Sequence, residues 1–490
     1  MNFLKSLFAK ILLCYLRFWA KLAIALNNPI IIGLTGSAGK SSLRNAIFSI
    51  ISPSFSAKMI EKGNSETGIP LGILGLQVKN YAFTKWLAFI FKAPFGVFYI
   101  RNTEYLVVEM GVDEPFPPKN MDYLLTIVRP KIGILLNVYP VHTMQFEQAL
   151  SSQEKNLPPQ EKEKLLLNAI AKQKSKILTT LPASGTAIYP KDFFYLKNMK
   201  LHSLTSISSP LLRRELKSSV AEEKNISTEQ NRRLLRRRIK IKAKKLTFGS
   251  LKATCKVKSY QVSLEKGTEI TLGYKKKNYF LYFPNYVLPK YYAEVFGAAF
   301  LAGISLNLLP EVIMRNLETN LVLPNGRASL IDGIKETKII DSSYNSSLRP
   351  LLGMLALLDE LAGERKKIAV LGDMRELGLQ TQLEHERAAQ KAVKVADEII
   401  LVGPNMKQYF LPKALALKFP KNKIYHFENA FIAGDFLSKH LKGKELILVK
   451  GSQNTIFLEI VVKKIMKTPK LASQLLCRRG AFWNTQRANS

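Results

Sequence analysis

The sequence contains few cysteines, and they lie far from one another. Its 490 residues include only Cys14, Cys255 and Cys477. These three have neither the close spacing of metal ligands nor the even number that a disulfide framework needs. A disulfide-stabilised secreted scaffold is therefore disfavoured, and a reducing cytoplasm is the expected compartment.

Acidic side chains are also scarce. Asp and Glu number 37 against 73 Lys and Arg, which gives a formal net charge of +36. Such an excess favours anionic partners: nucleotides, phosphorylated substrates, anionic lipid or nucleic acid. The excess is spread along the chain, because residues 211–245, with 13 basic and 4 acidic side chains, supply only +9 of it. No aromatic residue is interleaved with the arginines at 232–245, so no specific nucleic-acid partner is expected.

The N-terminal apolar segment lacks the small-residue cleavage site of a signal peptide. Residues 3–26 are apolar except for a few polar positions, of which Lys10, Arg17 and Lys21 fall on one face of a helix. This pattern predicts an amphipathic helix, residues 1–28, lying on an anionic membrane surface. Its apolar face would comprise Phe3, Leu4, Leu7, Ile11 and Phe18. A helix docked on the following domain is the open alternative.

A second apolar segment, residues 81–100, is interrupted by Lys85, Lys92 and Pro94. Its length and these interruptions argue against a transmembrane span. It is predicted to be a helix that docks on the protein or touches a membrane.

Short apolar runs alternate with helix-length segments through most of the chain. Runs at 29–36, 105–111 and 131–138 predict a buried parallel sheet. A second series begins near residue 330 and has the same alternation, which predicts a Rossmann-like domain. The expected fold class is therefore α/β, with two parallel-sheet domains. The Ser-rich and Arg-rich stretch at about 203–245 matches no compact element and is predicted to be an insertion.

The segment Gly33–Ser42, "GLTGSAGKSS", follows the first predicted strand and opens a helix. This is the context of a phosphate-binding loop, in which glycines let backbone amides approach phosphates, Lys40 reaches the terminal phosphates and Ser41 binds Mg²⁺. A chance glycine-rich turn is the alternative. The predicted nucleotide contacts in this loop are Gly36, Ser37, Gly39, Lys40, Ser41 and Ser42.

The loop resembles that of the Mur ligase family, and further segments resemble the MurF branch of it in the same order. They are "GNSETGIP" (63–70), "VVEMGVDEP" (107–115), "NVYPVHTMQF" (137–146), "PNGRASLIDG" (324–333), "IIDSSYNSS" (339–347), "IAVLGDMRELG" (368–378) and "LVKGSQN" (448–454). Together they cover residues 29–466. The resemblance implies a P-loop central domain and a Mur ligase C-terminal domain.

The resemblance also implies a reaction and a set of site residues. ATP would phosphorylate a substrate carboxylate, and an amine would then attack the acyl phosphate to form an amide. The metal would be held by Ser41, Glu109, His142 and Lys162, the last as a carbamate. Arg327 would contact the ATP phosphates, Asp341 and Asn345 would act from the C-terminal domain, and Asn64, Ser65 and Glu66 would contact substrate. A solvated lysine remains an alternative for Lys162, with Lys164 as the neighbouring candidate.

The chain also departs from the family pattern. Members carry a UDP-sugar-binding domain before the P-loop, whereas 32 residues precede Gly33 here, so this domain is expected to be absent. The chain has "KYYAEV" at 290–295 where members have H-N-x-x-N, and Asp341-Ser342 where they have Asp-Asp. The expected domains are 1–28 as the N-terminal helix, 29–325 as the central domain, 326–470 as the C-terminal domain and 471–490 as a basic tail.

The sequence thus predicts a MurF-like, ATP- and Mg²⁺-dependent ligase that adds D-Ala-D-Ala or a similar amine to a peptidoglycan precursor peptide. It would work in the cytoplasm, at the inner face of the membrane if the N-terminal helix binds lipid. Two alternatives remain open. One is another Mur-type or folylpolyglutamate-type ligase; the other is a membrane-apposed nucleotide-binding scaffold without ligase activity.

Overall fold

The computed structural model describes residues 2–61, 63–76, 83–193, 241–249, 252–452 and 455–488. Its strands are β1 Ile30–Thr35, β2 Ala57–Met59, β3 Tyr105–Glu109, β4 Ile132–Leu135, β5 Thr186–Pro190, β6 Lys244–Gly249, β7 Cys255–Ser263, β8 Gly267–Tyr274, β9 Lys277–Phe283, β10 Ser329–Asp332, β11 Lys338–Asp341, β12 Lys367–Gly372, β13 Glu398–Val402, β14 Ile424–Phe427 and β15 Leu446–Lys450. Its α-helices are α1 Asn2–Asn27, α2 Lys40–Ile51, α3 Gly68–Ile73, α4 Phe83–Gly96, α5 Met121–Ile127, α6 Thr143–Phe146, α7 Ser152–Lys155, α8 Pro159–Thr179, α9 Tyr292–Ser305, α10 Pro310–Asn320, α11 Leu348–Leu361, α12 Thr381–Ala392, α13 Leu411–Ala416, α14 Ala430–His440, α15 Glu459–Ile465, α16 Ala472–Leu475 and α17 Ala481–Ala488.

The first sheet has nine strands in the order β2-β3-β1-β4-β5-β6-β7-β8-β9. The strands from β2 to β7 pair in parallel, and β7, β8 and β9 form an antiparallel meander. Ile32 of β1 pairs with Val107 of β3 on one side and with Ile132 of β4 on the other. Strands β2 and β3 therefore lie on one side of β1, and β4 lies on the other, so the strand order reverses at β1. Open α/β sheets bind ligands at the carboxyl ends of the strands where the strand order reverses.

The strands at the centre of the first sheet are continuous apolar runs because helices cover both faces. Ile31 and Val108 pack into one core, which also contains apolar residues of α1, α4 and α8. Ile32 and Val107 pack into a second core on the other face, together with residues of α2, α9 and α10. Helix α9 is buried along most of its length.

The second sheet has six strands in the order β10-β11-β15-β12-β13-β14. In the described part of this sheet, the β10–β11 pair is antiparallel and the other strand pairs are parallel. Residues of β11 alternate between two cores, with Ile340 in one and Ile339 in the other. The predicted α/β class, with a P-loop sheet followed by a second, Rossmann-like sheet, is confirmed.

Helix α1 is docked on the first sheet. Leu16, Ala20 and Ala23 are buried in the core that Ile31 also lines, whereas Ile11 and Phe18 are exposed. Of the predicted apolar face, the described residues Ile11 and Phe18 therefore point to solvent, because a different set of apolar residues fills the core. The side chains of residues 3–7 lie outside the described residues. By length and hydropathy, none of the helices in the described ranges qualifies as a membrane-spanning segment.

Two segments with a basic sequence are partly built into the fold. Most of the predicted insertion at 203–245 lies outside the described residues, but Lys244 and Lys245 begin strand β6, which pairs with β5. In the segment predicted to be a basic tail, Arg478 is buried and forms an ion pair with Glu459 of α15. A buried arginine needs such a partner, so residues around 478 are part of the packed structure.

Candidate active site

The phosphate-binding loop lies between β1 and α2, against the residues that follow β4. Gly39 has a φ of 79° and precedes the first residue of α2. A Cβ at Gly36 would lie 3.1 Å from the Cβ of Leu136, and one at Gly39 would lie 3.0 Å from the Leu136 side chain. A side chain at either position would therefore crowd the loop.

Asn137 holds the loop in place, although the sequence did not mark it as a site residue. Its Oδ1 accepts hydrogen bonds from the backbone N–H of Ser37 at 3.0 Å and of Ala38 at 2.9 Å. Its Nδ2 donates to the Ala38 carbonyl at 3.0 Å. The hydroxyl of Ser42 lies 3.0 Å from that of Tyr292 in α9, so the helix of the second core also supports the start of α2.

Ser41 and Glu109 form the centre of the site. The Ser41 hydroxyl donates to Glu109 Oε2 at 2.9 Å, and Asn64 Nδ2 donates to Glu109 Oε1 at 3.1 Å. Arg44 Nη1 lies 3.7 Å from Glu109 Oε2, and Arg327 Nη2 donates to the Ser41 hydroxyl at 3.3 Å. Glu109 is buried at the carboxyl end of β3, which is where a ligand-binding carboxylate of an α/β sheet is expected.

The three residues predicted to contact substrate lie just before α3. Asn64 donates a hydrogen bond to Glu109, as described above. The Ser65 hydroxyl accepts a hydrogen bond from the backbone N–H of Gly68 at 3.2 Å. Glu66 Oε2 is buried without a hydrogen-bond partner among the described residues, and burial raises the pKa of this carboxyl.

A buried lysine, Lys174 of α8, lies behind the phosphate-binding loop. Its Nζ donates to the Gly36 carbonyl at 3.2 Å, and the side chain is buried. Burial, and to a smaller extent the charge of Lys40, lowers the pKa of Lys174 to about 7, against the opposing effect of Asp113 and Glu109. The loop therefore has two lysines close to each other, one at its helix and one beneath it.

In the described part of the chain, His142 and Lys162 have partners other than Ser41 and Glu109. His142 Nδ1 is 2.6 Å from Glu376 Oε2 and its Nε2 is 3.4 Å from Asp113 Oδ1. Lys162 Nζ donates to the Lys155 carbonyl at 3.3 Å. In the described part of the chain, no hydrogen bond or ion pair joins either residue to Ser41 or Glu109, and no cluster of three or more His, Cys, Asp or Glu has a metal-holding arrangement.

The second sheet contributes Asp341 at the end of β11. Asp341 Oδ1 accepts from Ser343 N at 2.9 Å, whereas its Oδ2 is buried without a partner among the described residues. Burial raises the pKa of Asp341 to about 6. Asn345 caps its own turn, since its Oδ1 accepts from Ser346 N at 2.8 Å.

Lys450 and Arg478 fix the loop that carries these residues. Lys450 Nζ donates to the Asn345 carbonyl at 2.8 Å, and burial together with the charge of Arg327 lowers its pKa to about 7. Arg478 donates to the carbonyls of Ser343 and Tyr344, both at 2.7 Å. The loop is thus held by two buried basic side chains from distant parts of the chain.

Arg327 joins the two sheets at the site. Its guanidinium stacks 4.6 Å from the centre of the Tyr344 ring, while Nη2 reaches Ser41. Its Nε is buried without a partner among the described residues. The structure therefore brings Ser41, Glu109, Arg327 and the Asp341 loop to one region between the sheets.

The chain is similar in sequence to known proteins. Residues 326–453 match the family described as "Mur ligase, glutamate ligase domain". The UDP-N-acetylmuramoyl-tripeptide--D-alanyl-D-alanine ligase of Buchnera aphidicola subsp. Baizongia pistaciae is 24% identical over 448 residues, 90% of this chain and 76% of the relative. The enzyme of the same name from Bacillus subtilis is 24% identical over 445 residues, with the same two shares.

Solved structures show the same fold. MurF from Acinetobacter baumannii aligns with a TM-score of 0.66 and 19% identity over 93% of this chain and 81% of that one. MurF from Thermotoga maritima, solved in complex with ADP, aligns with a TM-score of 0.63 and 18% identity over 92% and 83%. The chain resembles MurF-type Mur ligases in sequence and in fold.

Proposed function

We propose that this protein is an ATP-dependent ligase of the MurF type, which joins D-alanyl-D-alanine or a similar amine to the carboxyl group of a peptidoglycan precursor peptide. The observation that carries the proposal is the contact of Arg327 with Ser41, beside Glu109. Arg327 lies in the chain segment between the last strand of the first sheet and the first strand of the second. The contact brings its positive charge to the phosphate-binding loop. A nucleotide bound there would lie between the two sheets, where both can contact it.

In the proposed reaction, an oxygen of the substrate carboxylate attacks the γ-phosphorus of ATP. The bond between that phosphorus and the β–γ bridging oxygen breaks, and ADP leaves. The amine nitrogen then attacks the carbonyl carbon of the acyl phosphate, phosphate leaves and the nitrogen loses a proton. Chemistry of this kind depends mainly on gathering and neutralising anionic oxygens.

The residues at the loop suit these tasks. Lys40, at the start of α2, would pair with the terminal phosphates, and the loop backbone from Gly36 to Gly39 would cradle them together with Ser37 and Ser42. Arg327 would neutralise charge on the phosphates from the other sheet. Asp341 and Asn345 would face the incoming amine, and Asn64, Ser65 and Glu66 would contact the peptide.

Mg²⁺ fits the donors present at the centre of the site. The Ser41 hydroxyl and the buried Glu109 carboxylate are hard oxygen ligands, 2.9 Å apart, of the kind that Mg²⁺ prefers. When bound, the ion would neutralise phosphate charge. In this proposal His142, and Lys162 as a carbamate, complete the set of metal-supporting groups.

The division of the chain is part of the same proposal. Residues 29–325 would form the central ATP-binding domain and residues 326–470 the C-terminal domain, with 1–28 as an N-terminal helix and 471–490 as a basic extension. The protein would act in the cytoplasm and associate peripherally with the inner face of the membrane. The exposed Ile11 and Phe18 of α1, beside Lys10 and Lys21, support this association.

The test is ADP release measured across a panel of UDP-MurNAc-peptides, with and without D-Ala-D-Ala. We expect release that requires ATP, Mg²⁺, one of the peptides and the amine together, with formation of the amide product. ATP binding without any product across the panel would contradict the proposal and favour the scaffold alternative. A product only with other acceptors and amino acids would identify another Mur-type or folylpolyglutamate-type ligase.

A further inference from the structure

Helix α4 and the turn that follows it present three phenylalanine side chains to solvent. Phe91, Phe95 and Phe98 are 75%, 80% and 63% exposed. Their spacing of four and three residues places them on one side of the helix and of the turn that follows it. Phe89, Ala93 and Val97 are buried on the opposite side. An amphipathic helix of a soluble domain places its large apolar side chains in the core, so this aromatic face needs an explanation.

Helix α1 lies beside α4. The Tyr15 hydroxyl donates to the Ile90 carbonyl at 2.7 Å, and Asn27 Nδ2 donates to the Val97 carbonyl at 3.0 Å. Leu16 of α1 and Ala93 of α4 are buried in the same core. The two helices therefore form one layer on the first sheet, and their outer sides face the same way.

The outer side of α1 is divided lengthwise into an apolar and a basic stripe. Ile11 and Phe18 are each 59% exposed. They are four residues before and three residues after Tyr15, which contacts α4. These spacings place them on the same side of α1 as Tyr15, next to α4. Lys10 and Lys21 are seven residues before and four residues after Arg17. Arg17 contacts Thr126 and the ring of Tyr123 at α5. The apolar stripe of α1 therefore adjoins α4, and the basic stripe lies on the far side.

The two helices of this layer come from two stretches without negative charge, separated by Glu61 and Glu66. Residues 1–60 contain seven Lys and Arg and no Asp or Glu, and residues 67–103 contain four Lys and Arg and no Asp or Glu. Lys92, next to Phe91, is exposed. A second copy of the chain would bring an equally positive surface against this one, which electrostatic repulsion opposes. An anionic surface that also accepts aromatic side chains suits both properties.

We propose that Phe91 and Phe95 of α4 and Phe98 of the turn after it dock the protein on an anionic lipid bilayer. The three rings would enter the boundary between headgroups and acyl chains, and Lys92, Lys10 and Lys21 would lie at the lipid phosphates. The inference rests on the peripheral membrane association proposed above, but assigns the inserted residues to α4 and the turn after it. The apolar stripe of α1 would lie beside them at the edge of the inserted surface.

The test uses the full chain and sedimentation with phosphatidylcholine vesicles, with and without phosphatidylglycerol. The variant is the triple substitution Phe91→Ser, Phe95→Ser and Phe98→Ser. The matched control is Phe280→Ser. It removes a phenylalanine ring that is 71% exposed but lies on strand β9, not on α4. We expect binding only to vesicles with phosphatidylglycerol, a loss of at least about tenfold in the triple variant and no change in the control. Thermal melts and ADP release should be equal in all three proteins.

Three results would overturn the inference. Equal vesicle binding by the triple variant and the wild type would remove α4 from the interface. If Ile11→Ser with Phe18→Ser then abolished binding, the membrane association would stand and only its assignment to α4 would fall. Absence of vesicle binding by the wild type, or light scattering that shows a dimer lost in the triple variant, would mean that the aromatic face is not a lipid-binding surface. ADP release reports on the ligase proposal independently of each result.

Discussion

His142 Nδ1 lies 2.6 Å from Glu376 Oε2, and this contact joins residues 234 positions apart in the chain. It is one of several contacts between the segment after β4 and the segment after β12, since the Thr143 hydroxyl donates to the Leu377 carbonyl at 2.7 Å. Hydrogen bonding to His142 lowers the pKa of Glu376. A histidine whose Nδ1 is held by a carboxylate has a fixed ring orientation, which is how proteins prepare the other nitrogen for a ligand.

The first prediction concerns this pair. Glu376→Ala should raise the Mg²⁺ concentration needed for half-maximal ADP release by about tenfold, because His142 loses the group that orients it. Glu376→Gln keeps an acceptor for His142 and should have a smaller effect. Titration of activity with Mg²⁺ at saturating ATP measures both. An identical Mg²⁺ requirement in Glu376→Ala and the wild type would show that the contact only joins the two sheets.

The second prediction concerns the lysine of the phosphate-binding loop. Lys40→Ala removes the cation expected at the terminal phosphates, so turnover should fall by about two orders of magnitude or more while the protein stays folded. The control is Lys252→Ala, at an exposed position before β7. ADP release and a thermal melt are measured on both variants. Wild-type turnover by folded Lys40→Ala would remove the nucleotide assignment of the loop.

The third prediction tests the carbamate. If Lys162 is carbamylated, Lys162→Ala should be nearly inactive, and small carboxylates should partly restore activity by supplying the missing anionic group. Lys164→Ala, two residues further along α8 and exposed, is the matched control and should remain active. The same loss and rescue in Lys164→Ala would transfer the role to that lysine. Full activity of Lys162→Ala would leave it as a solvated side chain.

The fourth prediction concerns the pH dependence of stability. The pKa of Asp341 is raised from 3.8 to about 6 by burial, so the folded state binds this proton more tightly than the unfolded chain. Ionisation of Asp341 therefore lowers the stability of the fold as pH rises between these two values. Asp341→Asn should melt a few degrees higher than the wild type at pH 7 to 8, with a difference that shrinks toward pH 4. The control is Asp332→Asn at the exposed ion pair with Lys338, which should lack this trend.

The sequence predicted the fold well because its strongest signals are local. The strand of Gly33 and the loop to Ser42 form a continuous pattern, and the buried runs around Val107 and Ile339 identify the strands of both sheets without knowledge of their partners. The docking of α1 was left open because the helix is apolar on nearly all sides. Only the packed structure decides that Leu16 enters the core and Phe18 does not.

The candidate site could be predicted only in part. Ser41 and Glu109 were placed together by the resemblance to the Mur ligases. They meet in the structure because the loop after β1 and the last residue of β3 lie at one edge of the sheet. The partners Glu376 and Arg478 were missed because each contacts a residue from a distant segment. Glu376 lies in the family-like segment 368–378, but that segment did not indicate which residue it contacts. Lys174 and Lys450 were missed as site residues for a related reason, since one lies in a lysine-rich helix and the other ends an ordinary buried strand. Their burial is a property of the tertiary structure.

The last prediction concerns Lys174, which supports the phosphate-binding loop from beneath. Its Nζ donates to the Gly36 carbonyl at 3.2 Å, so Lys174→Met should weaken ATP binding by changing the loop conformation. We expect the KM for ATP to rise by about tenfold, the size of effect expected when one hydrogen bond from a charged group is lost. Lys172→Met, at an exposed position on the same helix, should leave the KM unchanged.

Lys174→Met should also change the pH dependence of the free energy of unfolding, which a nonspecific folding defect would not change. The pKa of Lys174 is lowered from 10.5 to about 7, mainly by burial, so between these pH values the unfolded chain binds more protons than the folded one. Stability contributed by this group therefore rises with pH across that window. The free energy of unfolding, measured by denaturant titration at pH 7, 8 and 9, should rise more in the wild type than in Lys174→Met. Parallel pH profiles for the two proteins would mean that Lys174 is not buried as a titrating amine beneath the loop.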